Sequence, residues 1–287
     1  MSSRAPHILT RLAAHAVVYA VAASMLLPFL WMVSTAVKTD LQALPREAAG
    51  EHVTFLPPGW PWEWRWSNFA DAARAVSLWD FYQNSLVAAA LTTLVAGVHN
   101  ALAGFALAKF KFRGQRAVFW LVMSTMMLPV QVSFIFAYIA AGRLGMVDNI
   151  QALVVPFAVS GFGIYSMRQA IATVPDSLLE AGRLDGMSDL ELFWHVVRPI
   201  AWPTIAALGI FTFVASWNSF FWPLVVVDSV HSKTLPLAVA ELSAGRYVQS
   251  WPVRMAAMTI LTLPLIVVFV IFQRAFVRGV AMAAVKE

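Results

Sequence analysis

Six stretches of the chain run for 19 residues or more without an Asp, Glu, Lys or Arg: 12–37, 81–108, 117–142, 149–167, 199–227 and 255–273. A bilayer core about 30 Å thick takes about 20 apolar residues to cross as a helix. Lipid cannot satisfy an unpaired backbone N–H or C=O, so only helices or a closed barrel can occupy it. Barrel strands are about 10 residues long and alternate in polarity, and runs such as LVAAALTTLVAG and ILTLPLIVVFVIF do not alternate. The expectation is an all-α integral membrane protein with six transmembrane helices. Composition agrees: 60% of the residues are hydrophobic and 12% charged, against about 25% charged in soluble domains. The run 12–37 follows Arg4 and Arg11 but is longer than the apolar core of a cleaved signal, so it is read as a span.

The charges also orient the helices. With the N-terminus inside, the cytoplasmic segments 1–11, 109–116, 168–198 and 274–287 hold twelve of the 20 Lys and Arg residues. The short loop KFKFRGQR carries Lys109, Lys111, Arg113 and Arg116 with no acid, which places it and both termini in the cytoplasm. The net charge of +5 is therefore read as membrane orientation, not as a nucleic-acid surface. The resulting division is a cytoplasmic N-terminus at 1–11, a first helix at 12–37 and an outer loop at 38–80. A helical core follows at 81–277, with a C-terminal tail at 278–287. In the outer loop Trp60, Trp62, Trp64 and Trp66 fall at every second residue. This predicts an extended segment with four rings on one face, read as an interfacial aromatic belt in preference to a sugar- or partner-binding surface.

Several function classes drop out. Without cysteine there is no disulfide framework, thiolate metal site or cysteine nucleophile. No spanning run holds a charge of the kind that ion-coupled transporters keep at membrane depth. The lone His99 is read as bonding to a neighbouring helix rather than as a proton relay. Motifs for metallopeptidase, serine hydrolase and phosphate-loop chemistry are absent, so no catalytic residue, metal or cofactor is assigned and the chain is not its own ATPase.

The most informative segment joins the fourth and fifth runs, IATVPDSLLEAGRLDGMSDLELFWHVVRPIAWP. Ser177 with Glu180, and Ser188 with Glu191, each have the spacing of a capping box. Gly186 sits where the first short helix needs a left-handed cap. Leu190, Phe193, Trp194 and Val197 then recur as one apolar stripe, and Arg198-Pro199 is expected to end the second helix. Five acids stand against three Arg between 168 and 198. An acidic helix pair suits a protein partner better than an anionic lipid surface.

This segment resembles the EAA loop of ABC importer permeases, whose pattern is E-A-A, three residues, G, nine residues, I-x-L-P. Glu180, Ala181, Gly186 and Pro199 match; Gly182 stands for the second Ala, Val196 for Ile and Arg198 for Leu. The Leu184-Asp185-Gly186 form is that of carbohydrate importers of the maltose-transporter type. SMLLPFLWMVSTAVK, NSLVAAALTTLVAGVHNALAGFALAKFKFRGQ and SWNSFFWPLVV followed by Leu235-Pro236 resemble other blocks of the same permeases. The resemblance implies the second, shorter permease of a heterodimer in the cell inner membrane. Its implied partners are two ATPase subunits and an extracytoplasmic solute-binding protein. The loop 175–199 would couple to an ATPase through Ser177, Glu180, Ala181, Gly182, Asp185, Gly186, Phe193 and Pro199. Trp217, Asn218 and Trp222 either form a sugar pathway or pack the bundle. A secondary transporter or channel, and a scaffold without a pathway, are the alternatives.

Overall fold

The computed structural model describes residues 5–44, 54–75, 78–244 and 250–284, and all regular structure among them is helical. The helices are α1 (Ala5–Ala36), α2 (Asp40–Ala43), α3 (Ser67–Ala75), α4 (Leu78–Lys109), α5 (Gln115–Thr125), α6 (Val130–Arg143) and α7 (Ile150–Val154). They continue as α8 (Gly161–Ala172), α9 (Asp176–Leu184), α10 (Asp189–Leu192), α11 (Arg198–Trp217), α12 (Phe221–Val226), α13 (Leu235–Ser243) and α14 (Trp251–Ala284). Expectations for residues 1–4 and 285–287, and for 45–53 and 76–77 of the long loop, lie outside the described residues.

Four stretches are long and apolar enough to cross a membrane: Ala14–Ala36, Leu78–Lys109, Asp189–Trp217 and Trp251–Ile271. The other two expected spans are bent pairs. Helices α5 and α6 meet at 103°, and Ile150–Phe157 meets α8 at 48°. Pro129 immediately precedes α6 and Pro156 lies in the 3-10 turn after α7, where a missing N–H and a fixed φ favour a break. Pro28, Pro203 and Pro264 are carried inside α1, α11 and α14. Pro199 does not end a helix as expected. A π-helical turn at Phe193–Val197 lets the Arg198 N–H reach Phe193 O, and Pro199 falls in the first turn of α11. The wider turn accommodates a residue without a donor, so α10 runs on into the span.

The chain divides into two units, residues 1–78 with 239–262 and residues 79–238 with 263–287. In the first, the segment after α1 folds back on the end of that helix. Asn68 Nδ2 donates to Ala36 O and Lys38 O at 2.8 Å each, and Arg65 N donates to Val37 O at 2.9 Å. Lys38 is fully buried, lies 4.4 Å from the Trp31 ring centroid and donates to Thr54 O at 2.6 Å. The Trp-rich run is not one extended ladder. Gly59 is left-handed at φ +85, Glu63 Oε2 accepts the Trp60 N–H at 3.0 Å, and Pro61–Glu63 forms a 3-10 turn. The rings pair instead, Trp60 on Trp62 at 5.1 Å and Trp64 near Trp66 at 6.4 Å.

The second unit is organised by close helix crossings. A Cβ on Gly104 would stand 2.6 Å from Met167 Cβ and 2.8 Å from Arg168 N, so α4 and α8 approach almost backbone to backbone. Asn100 Oδ1 accepts Ser160 N–H at 3.0 Å at the start of α8. The helices also outrun the charge-free gaps. Arg168 lies within α8 with its guanidinium 4.5 Å from the Phe119 ring centroid, and Arg254 lies in α14. His99 bonds Val95 O of its own helix at 2.8 Å, not a neighbouring helix.

Candidate functional site

Helices α9 and α10 form a compact hairpin. Pro175 opens α9 with its fixed φ, and Asp176 occupies the first turn. The Asp176 carboxylate meets Lys109 Nζ at 2.7 Å, while the same ammonium donates to Val174 O at 2.5 Å. The Lys109 hydrogen bond and charge hold the Asp176 carboxyl below its ordinary range. The expected capping box of Ser177 with Glu180 does not form. Ser177 is already inside the helix, and the exposed Glu180 carboxylate bonds no other described residue.

The far end of α9 closes as expected at Gly186, with φ +83. Met187 N donates to Gly182 O at 2.9 Å and Gly186 N to Arg183 O at 3.1 Å, the paired bonds of a Schellman cap. Ser188 then caps α10 in the second expected box. Its hydroxyl accepts Glu191 N–H at 3.4 Å, and Glu191 Oε2 accepts Ser188 N–H at 2.8 Å. The Ser188 hydroxyl and N–H together hold the Glu191 carboxyl low. Arg183 meets Asp189 at 3.2 Å across the turn.

One face of the hairpin is anchored. Leu179, Leu192, Phe193 and Val197 are buried with Ala101 and Phe105 of α4 and Met167 and Ile171 of α8. Burial of a side chain of this size from water contributes about 1.5–3 kcal/mol. The expected stripe is thus half right: Phe193 and Val197 are buried and Leu192 joins them, whereas Leu190 and Trp194 are exposed. Arg198, where the resembled pattern has Leu, stacks on Trp194 at 4.9 Å and Trp202 at 5.6 Å. The opposite face presents Glu180, Ala181, Leu184 and Asp185. Leu184 is 89% exposed at the tip, an apolar side chain left almost uncovered by the described residues. The signal that locates it is its place one residue before the left-handed turn's cap.

A second feature is a cavity of about 640 Å³ among α4, α8, α11 and their connections. Of the three expected pathway residues, Trp222 lines it, with its Nε1 donating to Ala152 O at 2.8 Å. Trp217 does not; it is buried against Tyr82 and Phe213 at ring distances of 5.5 and 6.0 Å. Asn218 is exposed beyond the end of α11, outside the lining. The flanking Ser216 and Ser219 line the cavity instead, a role no sequence pattern marked. Among the described residues no cluster of three or more His, Asp or Glu has metal-binding geometry.

Known proteins are similar to this chain in sequence and in fold. Over 202 residues the chain is 34% identical to the sn-glycerol-3-phosphate transport system permease protein UgpE of Escherichia coli (strain K12), covering 70% of this chain and 72% of that one. It is 30% identical over 206 residues to the arabinooligosaccharides transport system permease protein AraQ of Bacillus subtilis (strain 168), covering 72% and 73%. A chain of a bacterial ABC transporter involved in import of the acidic polysaccharide alginate has the same fold. Its TM-score is 0.79 at 22% identity, over 96% of this chain and 99% of that one. Residues 100–282 match the family described as binding-protein-dependent transport system inner membrane component. With that match spanning more than half its length, the chain belongs to the binding-protein-dependent transport system inner membrane component family, the membrane-embedded permeases of ABC importers.

Proposed function

We propose that this chain is one of two unlike permeases in an ATP-driven importer of a carbohydrate or related polyol, and that its α9–α10 hairpin seats an ATPase subunit. The observation that carries the reading is the two-faced hairpin: capped by Gly186 and Ser188, anchored through Leu179, Leu192 and Phe193, and open at Glu180, Ala181, Leu184 and Asp185. A frayed loop would absorb a displacement, whereas this one is continuous with α11 and packed on α4 and α8. ATPase closure beneath it would therefore move spanning helices directly.

In this reading the hairpin, the 109–116 loop and both termini face the cytoplasm, as the basic residues favour. The Trp60–Trp66 segment lies on the outer side as an aromatic belt at the membrane interface. The helical core is residues 81–277, in keeping with the family match at 100–282. Gly182, Phe193 and Pro199 shape the hairpin from within, and Ser177 adds no cap. The solute class follows the relatives named for glycerol 3-phosphate and arabinooligosaccharides. The test is ATPase co-purification and solute uptake for Gly186→Val, since a side chain in the left-handed region is strained by about 1–2 kcal/mol. Loss of both with normal membrane insertion is expected; wild-type uptake would overturn the docking role.

A further inference from the structure

A groove of about 510 Å³ lies between α4 and α11, and none of the residues lining it lines the 640 Å³ cavity. Its floor is open at two glycines. A Cβ on Gly97 would meet nothing within 4 Å, and one on Gly209 only Thr93 Cγ2 at 3.7 Å. The Thr93 hydroxyl is already spent on Ala89 O of its own helix, at 2.7 Å. The walls are therefore apolar except at one end.

That end holds Arg198, the one charged residue lining the groove among those described. Its guanidinium lies between Trp194 and Trp202, 4.9 and 5.6 Å from the ring centroids, and within ion-pair distance of no described carboxylate. Arg198 is the first residue of α11 and borders the charge-free run 199–227. It thus stands where hydrocarbon gives way to headgroups, the level at which Trp rings and long basic side chains settle.

Dimensions select the occupant. From Arg198 to Phe213 the helix rises about 22 Å, more than the roughly 15 Å of hydrocarbon in one leaflet. Spread over that length, the groove is about 5 Å across, half the 10–12 Å width of a helix with its side chains. It admits an extended alkyl chain and excludes the body of a helix. We propose that this groove holds one anionic phospholipid, its phosphate on Arg198 and an acyl chain laid along Gly97 and Gly209. A guanidinium and a phosphate form a strong charge-assisted pair. No carboxylate lines the groove to receive the ammonium of a zwitterionic headgroup, so a net anionic lipid is favoured. The resembled loop pattern has Leu at position 198, which makes the site a feature of this chain's departure from it.

The test is native mass spectrometry of the full chain purified with its partner subunits in detergent. It is titrated with palmitoyl-oleoyl phosphatidylglycerol, with phosphatidylethanolamine of the same chains, and with inorganic phosphate as a chainless anion. Phosphatidylglycerol should bind more tightly than phosphatidylethanolamine, and inorganic phosphate should not displace it. Arg198→Leu should weaken phosphatidylglycerol by about ten-fold or more, the scale of one charge-assisted hydrogen bond, and abolish the preference. Gly97→Leu fills the open floor and should weaken both lipids. Gly142→Leu, on α6 where a Cβ likewise meets nothing within 4 Å, should change neither. Equal affinity for the two lipids in the wild type, or displacement by inorganic phosphate, overturns the proposal. So does a phosphatidylglycerol affinity unchanged by either Arg198→Leu or Gly97→Leu, the result expected if a partner subunit covers the groove.

Discussion

Gly182 and Leu192 are packed so closely that a methyl group on Gly182 would stand 2.5 Å from Leu192 Cδ2. The resembled loop pattern has Ala at this position, and here the large Leu192, fully buried, takes the space that the methyl would fill. Gly182→Ala should therefore overpack the hairpin and cost about 1–3 kcal/mol. Adding Leu192→Val should recover part of the loss. Thermal unfolding of the two variants checks this; additive destabilisation would show that the contact is not the cause.

The two Ser-x-x-Glu sequences should respond differently. Ser188→Ala removes a working cap and should cost about 0.5–2 kcal/mol. Ser177→Ala should leave stability within about 0.5 kcal/mol of wild type, the range of an ordinary surface change. Glu180→Ala likewise removes no cap, so any loss of ATPase binding in that variant reports on the interface rather than on folding.

Much of this was legible in the sequence, and the limits have physical causes. The charge-free runs locate the membrane-spanning material, and Gly186 and Ser188 mark the hairpin because both act through bonds to residues within four positions. Ser177 misleads for the opposite reason. Its motif is indistinguishable from that of Ser188, and the start of α9 is set by Pro175 and by Lys109, a partner 67 positions away from Asp176. Pro129 and Pro199 look alike in the chain, yet a π turn absorbs one while the other begins a new helix. Trp217 and Trp222 belong to one apolar run, and only the break between α11 and α12 decides which of them reaches the cavity.

Acid should loosen the hairpin. The carboxyls of Asp176 and Glu191 are both held below their ordinary values of 3.8 and 4.5. A depressed carboxyl contributes stability above its unfolded pKa, and that contribution is lost as pH falls through the folded value. Amide exchange across residues 174–191 should thus accelerate below about pH 4.5 relative to the rest of the chain. Asp176→Asn should flatten its share of this dependence. An exchange profile independent of pH, once corrected for intrinsic rates, would contradict the assignment of these two carboxyls.

Lys109 should matter more than its acidic partner. Its side chain is 7% exposed against 76% for Asp176, and it also serves Val174 O. Lys109→Ala leaves that carbonyl without its donor, a loss of about 1–3 kcal/mol. Asp176→Asn removes an exposed, solvent-screened pair and should cost clearly less. Equal effects on thermal stability would contradict the two-acceptor role of Lys109.

The central claim is that the open face of the α9–α10 hairpin docks an ATPase, and Leu184 tests it most directly. The residue is 89% exposed, so Leu184→Asp removes little packing against the described residues. Affinity-tagged wild-type and Leu184→Asp chains, expressed with their partner subunits, are purified from membranes and the co-purifying ATPase is quantified. The account predicts equal amounts and thermal stability of the permease and a loss of ATPase by about ten-fold or more, equivalent to about 1.4 kcal/mol at the interface. Wild-type recovery of ATPase with Leu184→Asp would contradict it.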